Sequence, residues 1–170
     1  KNAREGQVDF SRDFAYPLPL LVIADMLGVP RELRMQLREW SDRASRFFSG
    51  APLTLDVQQA SIALTGFFAQ QVAQRRKALE NGEVDAVEAA DLITLLLQQN
   101  PADDPASVLN DGEIIQTCVL LLIAGHETTA NLLGNMLHAL IQFPEVCHLL
   151  ARYPARIPDA VEEVLRWDSP

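Results

Sequence analysis

Apolar positions recur at steps of three and four residues through most of the chain, which is the repeat of an amphipathic helix. Phe10–Gly28 starts polar and turns apolar, with Leu20, Leu21, Ala24 and Leu27 on one face. Gly28-Val29-Pro30 ends it, because glycine caps a helix and proline cannot continue one. Arg31–Phe48 is amphipathic through Leu33, Leu37, Trp40 and Ala44, and Ser49-Gly50-Ala51-Pro52 breaks it. Thr54 or Asp56 opens a helix that runs to about Leu79 and carries a basic tip, Arg75-Arg76-Lys77. Those cations suit the dipole of a last turn better than they suit a binding patch. Asn81-Gly82 turns the chain, Ala89–Gln99 reads as a short helix, and Asn100 to Ser107 as a loop.

The clearest start signal follows. Asn110 is placed as an N-cap with Glu113 at the third helical position, a variant capping box, and Leu109 with Ile114 fits a hydrophobic staple. The helix then runs to about Gln142, roughly 30 residues or about 45 Å. From Ile114 to Ile123 it is apolar nearly all round, which predicts burial on all sides. Pro144 and Pro158 sit where first turns begin and open helices Pro144–Tyr153 and Pro158–Trp167. No strand pattern and no internal repeat occurs. The predicted fold class is all-α, a single helical segment built around one long buried central helix.

Composition changes the picture in few places. The formal charge of −9 is a poor footprint for nucleic acid. Cys118 and Cys147 lie among apolar neighbours with no CxxC partner, so both read as buried free thiols of a reducing compartment. The longest apolar runs, around Leu18–Ala24 and Cys118–Ala124, fall short of the roughly 18 residues a membrane span needs. A cytoplasmic protein with no membrane partner is expected. Lys1 and Pro170 do not read as natural termini, and a segment of a longer protein is expected.

The candidate chemistry lies in mid-helix, at Ala124-Gly125-His126-Glu127-Thr128-Thr129. A Thr128 hydroxyl can bond the carbonyl of Ala124 and bend or loosen the helix. Gly125 lets a flat ligand approach the backbone. Glu127 puts an ionisable group beside the hydroxyl, and the pair would suit relaying protons to something bound in an apolar pocket. Any one of these residues is more economically explained as a solvated stripe; the set is harder to explain that way. His126-Glu127 could begin HExxH, but the second histidine would be residue 130, which is Ala130, so a zinc protease is excluded. His126 is expected to be a hydrogen-bonded structural histidine.

AGHETT resembles the oxygen-binding stretch of the cytochrome P-450 heme-thiolate monooxygenases, A/G-G-x-D/E-T-T/S. Glu163-Val164-Leu165-Arg166 resembles that family's E-x-x-R, in order and in register. The intervening text, FPE…IPDAVEEVLRWDSP, is similar to the soluble bacterial members.

The resemblance implies a partial cytochrome P-450 fold over residues 1–170, with lid helices at about 31–79, the central oxygen-binding helix at about 110–142 and the E-x-x-R helix at about 158–167. It implies that Ala124, Gly125, Thr128 and Thr129 lie against heme b, that Thr128 guides protonation in the oxygen pocket and that Glu127 feeds protons through water. Leu120, Ile123 and Ala124 would line the substrate pocket. Glu163 and Arg166 would form a buried structural pair. No metal ligand is expected within the segment, because the family's thiolate cysteine lies downstream of E-x-x-R and neither Cys118 nor Cys147 matches it. The implied partners are a small apolar substrate, such as a secondary metabolite or lipid-like compound, dioxygen, and a ferredoxin-type electron donor with its NAD(P)H reductase. The alternative is a helical module or scaffold without heme.

Overall fold

The computed structural model describes residues 6–47, 50, 52–82, 91–99 and 108–170. Among them every regular element is helical: α1 (Pro17–Met26), α2 (Arg34–Ser45), α3 (Leu55–Glu80), α4 (Leu92–Leu97), α5 (Asp111–Gln142), α6 (Pro144–Arg152) and α7 (Ile157–Trp167). The expected loop at 100–107, parts of the Ser49–Pro52 break and the start of the Ala89–Gln99 helix lie outside the described residues. The chain divides into a larger unit, Leu20–Ala124, and a smaller one that joins residues 1–19 to Gly125–Pro170.

Caps set the element ends. Thr54 Oγ1 accepts the Val57 amide at 3.4 Å and opens α3. The Asp91 carboxylate accepts the Thr94 amide at 2.8 Å and the Thr94 hydroxyl at 2.9 Å and opens α4. At α5 the expected capping box forms: the Glu113 amide donates to Asn110 Oδ1 at 3.1 Å, and the Asn110 amide donates to Glu113 Oε2 at 2.8 Å. After α1, Gly28 takes φ +65° and the Val29 amide returns to the Ala24 carbonyl at 2.8 Å, a left-handed closure that glycine adopts without strain.

The single helix expected over Phe10–Gly28 is two pieces. Ser11–Ala15 is a π turn, closed by the Tyr16 amide on the Ser11 carbonyl at 2.9 Å, and α1 begins at Pro17. Pro17 has no N–H and its ring crowds the carbonyl four residues back, so a wider turn accommodates it.

The larger unit holds the apolar core. Leu20, Ala24 and Leu27 of α1, Leu37 and Ala44 of α2, Ala60, Leu64, Phe68 and Val72 of α3, Ile93 of α4 and Ile114, Cys118 and Leu122 of α5 meet there. Burying each large side chain contributes about 1.5–3 kcal/mol. Leu33 and Trp40 pack against this core as the α2 periodicity predicted, whereas Leu21 is exposed.

The basic tip of α3 differs from expectation. The helix continues to Glu80, so Arg75 lies short of the last turn. The Arg75 guanidinium donates to Asp91 Oδ2 at 2.7 Å, to Gln71 Oε1 at 2.9 Å and to the Gly28 carbonyl at 2.9 Å. Arg76 pairs with Asp111 at the start of α5. These cations fasten segments far apart in sequence, a long-range use that a local dipole argument does not foresee.

Candidate functional site

The predicted site residues sit on α5, which is helical without interruption from Asp111 to Gln142. No break in the helix occurs around Gly125 or Thr128. A mid-helix glycine costs about 1 kcal/mol relative to alanine, and the burial of Leu122, His126 and Ala130 on either side of it outweighs that.

Burial along α5 follows a narrow seam. Ile114, Cys118, Leu122, His126 and Ala130, at steps of four, are all nearly inaccessible. Two residues out of phase, and so about 200° around the helix, runs the row Leu120, Ala124 and Thr128, all exposed. Burial on all sides from Ile114 to Ile123 is therefore not found: Leu120 is 58% and Leu121 40% accessible. A helix buried along one ridge leaves its opposite ridge bare whatever that ridge is made of. Ile123 packs partly against the core, Gly125 and Glu127 are half-buried, and Thr129 is exposed.

The helix thus gathers Leu120, Ala124 and Thr128 onto one outward row and sets Ile123 and Glu127, one turn apart, on its flank. The row offers an apolar surface, a short side chain at Ala124 and a hydroxyl beside a carboxylate. His126 is the structural histidine that was expected: its Nε2 lies 3.1 Å from the Tyr16 carbonyl.

Glu163 and Arg166 pair as expected, with Arg166 Nε to Glu163 Oε2 at 2.8 Å and Nη2 to Oε1 at 2.6 Å. The pair is not buried, however: its side chains are 61% and 69% accessible. α7 buries only Val164 fully, so the polar face of the helix carries the pair. Arg166's hydrogen bonds hold the Glu163 carboxyl below the usual carboxylate range. Beside the pair is an apolar groove of about 400 Å³ lined by Met136, Leu140, Phe143, Val164 and Trp167. Nothing in the periodicity of α5 or α7 pointed to it.

The cysteines divide. Cys118 is buried, and burial pushes its thiol up to about 11, so it stays protonated at neutral pH. Cys147 is exposed, against expectation, because α6 keeps only Leu150 inside. Among the described residues no group of three or more His, Cys, Asp or Glu side chains could hold a metal.

The sequence model of the cytochrome P450 family matches residues 37–151. The chain belongs to the cytochrome P450 family. It is 35% identical to cytochrome P450 107B1 of Saccharopolyspora erythraea over 168 residues, which are 99% of this chain and 38% of that protein. It is 39% identical to the biotin biosynthesis cytochrome P450 of Bacillus subtilis over 170 residues, covering 93% of this chain and 38% of that one. The crystal structure of CYP109E1 from Bacillus megaterium in complex with testosterone superposes with a TM-score of 0.78 at 34% identity, over 96% of this chain and 41% of that one. The chain therefore spans about two-fifths of the length of the P450s it matches.

P450s are heme-thiolate enzymes that bind heme b. The outward row of α5 fits one face of such a group, since Ala124 and Thr128 carry short side chains and leave the helix backbone approachable by a flat ligand. Cys118 lies in the buried seam, on the side of α5 away from that row, and does not fit the thiolate role. Among the described residues no helix is long and apolar enough to cross a membrane.

Proposed function

We propose that this segment supplies the oxygen-side helix, the lid helices and the E-x-x-R helix of a monooxygenase domain. That domain inserts one atom of dioxygen into a small apolar substrate, a secondary metabolite or lipid-like compound. The observation that carries the reading is the antiphase arrangement on α5, where Leu120, Ala124 and Thr128 face outward from a buried seam with Glu127 on their flank. Heme, when bound, supplies the activation of dioxygen. Ala124 and Gly125 give it room, Thr129 borders it, and Leu120 and Ile123 present apolar surface to the substrate. The Glu127 carboxylate picks up a proton from water and releases it toward Thr128, whose hydroxyl accepts at Oγ1 as it donates its own proton into the pocket, so protons enter at a fixed place. α2 and α3 form the lid, and Phe47, Leu53 and Leu55, all exposed near the α2–α3 connection, give it an apolar edge. Glu163 and Arg166 hold the heme-side architecture. The thiolate comes from neither Cys118 nor Cys147. A ferredoxin-type protein and its NAD(P)H reductase deliver the electrons, in the cytoplasm.

The test is optical. The whole protein, reduced under carbon monoxide, is expected to give the strongly red-shifted Soret band of a thiolate-ligated heme. No Soret band would leave a heme-free helical module as the better account, and an unshifted one would show heme held without the thiolate and remove the monooxygenase reading. Within a protein that passes, Thr128→Ala is expected to retain heme and substrate binding while most reducing equivalents leave as hydrogen peroxide. Unchanged coupling of electrons to product would remove Thr128 from the proton path.

A further inference from the structure

His126 is the polar member of the α5 seam, 2% accessible between Leu122 and Ala130. Its Nε2 is 3.1 Å from the Tyr16 carbonyl oxygen, and a carbonyl only accepts. Nε2 therefore carries the proton and donates it. The Tyr16 ring meets the imidazole edge-on, with centroids 5.5 Å apart and planes at 80°. Tyr16 is itself a fixed point, since it lies between the π turn Ser11–Ala15 and Pro17, whose ring locks its own φ.

An apolar residue at 126 would fill the seam, but it would tolerate rotation of the helix. A hydrogen bond has a length and a direction, so it does not. On an α-helix Thr128 stands about 200° from residue 126 and Glu127 about 100°. Anchoring the imidazole to Tyr16 thereby holds Thr128 on the opposite side and Glu127 on the flank. Turning α5 by one residue's angle would bring Glu127 into the seam, and burying an unpaired carboxylate there is strongly unfavourable.

We infer that His126 is a positioning residue: its Nε2–H bond to the Tyr16 carbonyl sets the rotation of α5 that presents Thr128 and Glu127. The consequence for catalysis rests on the monooxygenase reading above, whereas the rotational anchor does not.

Three measurements on the whole protein test it. In the wild type, long-range proton–nitrogen NMR of the imidazole is expected to report the Nε2–H tautomer, and an Nδ1–H tautomer overturns the inference. His126→Phe keeps the ring and its edge contact but loses the donor, whereas His126→Gln keeps an N–H of similar reach. Amide exchange over residues 124–130 is expected to rise about five- to tenfold in His126→Phe, the worth of one lost hydrogen bond, and to return toward wild type in His126→Gln. Exchange over 114–122 should not move. The share of electrons lost as hydrogen peroxide should follow the same order while the red-shifted Soret band is retained. Equal exchange in both variants, or no rescue by glutamine, sinks the anchor. Loss of the Soret shift in the wild type sinks the monooxygenase reading alone, because the tautomer and exchange results still decide the anchor.

Discussion

One ion pair and the cysteine of each unit sit in opposite surroundings. In Leu20–Ala124 an arginine–carboxylate pair, Arg75 with Asp91, is only 15% and 17% accessible, and the cysteine, Cys118, is buried. In the unit containing Gly125–Pro170 the corresponding pair, Arg166 with Glu163, is 69% and 61% accessible, and the cysteine, Cys147, is exposed. Bond lengths do not separate the pairs: both make contacts of 2.6–2.8 Å. Solvent separates them. An exposed ion pair trades water for protein contacts at nearly equal free energy, while a sheltered pair cannot lose one member without stranding the other. Arg75 and Asp91 also occupy each other's remaining valences, on Gln71, Gly28 and Thr94, which is the condition for a sheltered pair to stabilise.

The largest way to break this contrast is at Asp91. Asp91→Ala removes the α4 cap and leaves Arg75 half-sheltered without its carboxylate, and a loss of about 2–4 kcal/mol is expected by urea unfolding. Asp91→Asn, which can still cap, should lose less. Gly28→Ala follows: φ +65° strains an alanine, and its Cβ would collide with the Asp91 carboxylate and the Arg75 guanidinium. A loss of about 1–3 kcal/mol is expected by the same measurement. Thiol chemistry is a smaller lever. At pH 8 a maleimide should label Cys147 promptly and Cys118 only on unfolding, read by mass spectrometry. Because the folded thiol at Cys118 holds its proton up to about 11 against an ordinary 9.0, its contribution is complete below pH 9 and is lost as pH rises toward 11. Cys118→Ala should flatten that part of the stability curve. Glu163→Gln comes last, with no measurable change in the unfolding midpoint; a clear drop would show that the outer pair is sheltered in the whole protein.

How much of this was legible follows from the range of each interaction. The α5 start was readable because Asn110 and Glu113 complete each other within one turn, and α3 was readable from Thr54. The π turn was not, because proline's effect falls on residues before it that look ordinary. The Arg75 clasp joins residues 16 and 47 positions apart, and no local period encodes such a meeting. At the site, the residue types suggested the proton relay proposed above, and the resemblance named the family that the family match shows. Which residues faced outward depended on the one ridge that packs, and apolar composition at Leu120 and Leu121 concealed that choice.

The seam on α5 has one more consequence. Its members advance by four while the helix closes a turn every 3.6, so the inward direction drifts by about 40° at each step. Adding or removing a single residue between Leu122 and His126 would swing everything downstream by about 100° and leave the histidine pointing past its carbonyl. Length variation in this stretch is therefore confined to near-whole turns, and a lineage can lengthen or shorten the helix freely only at its ends.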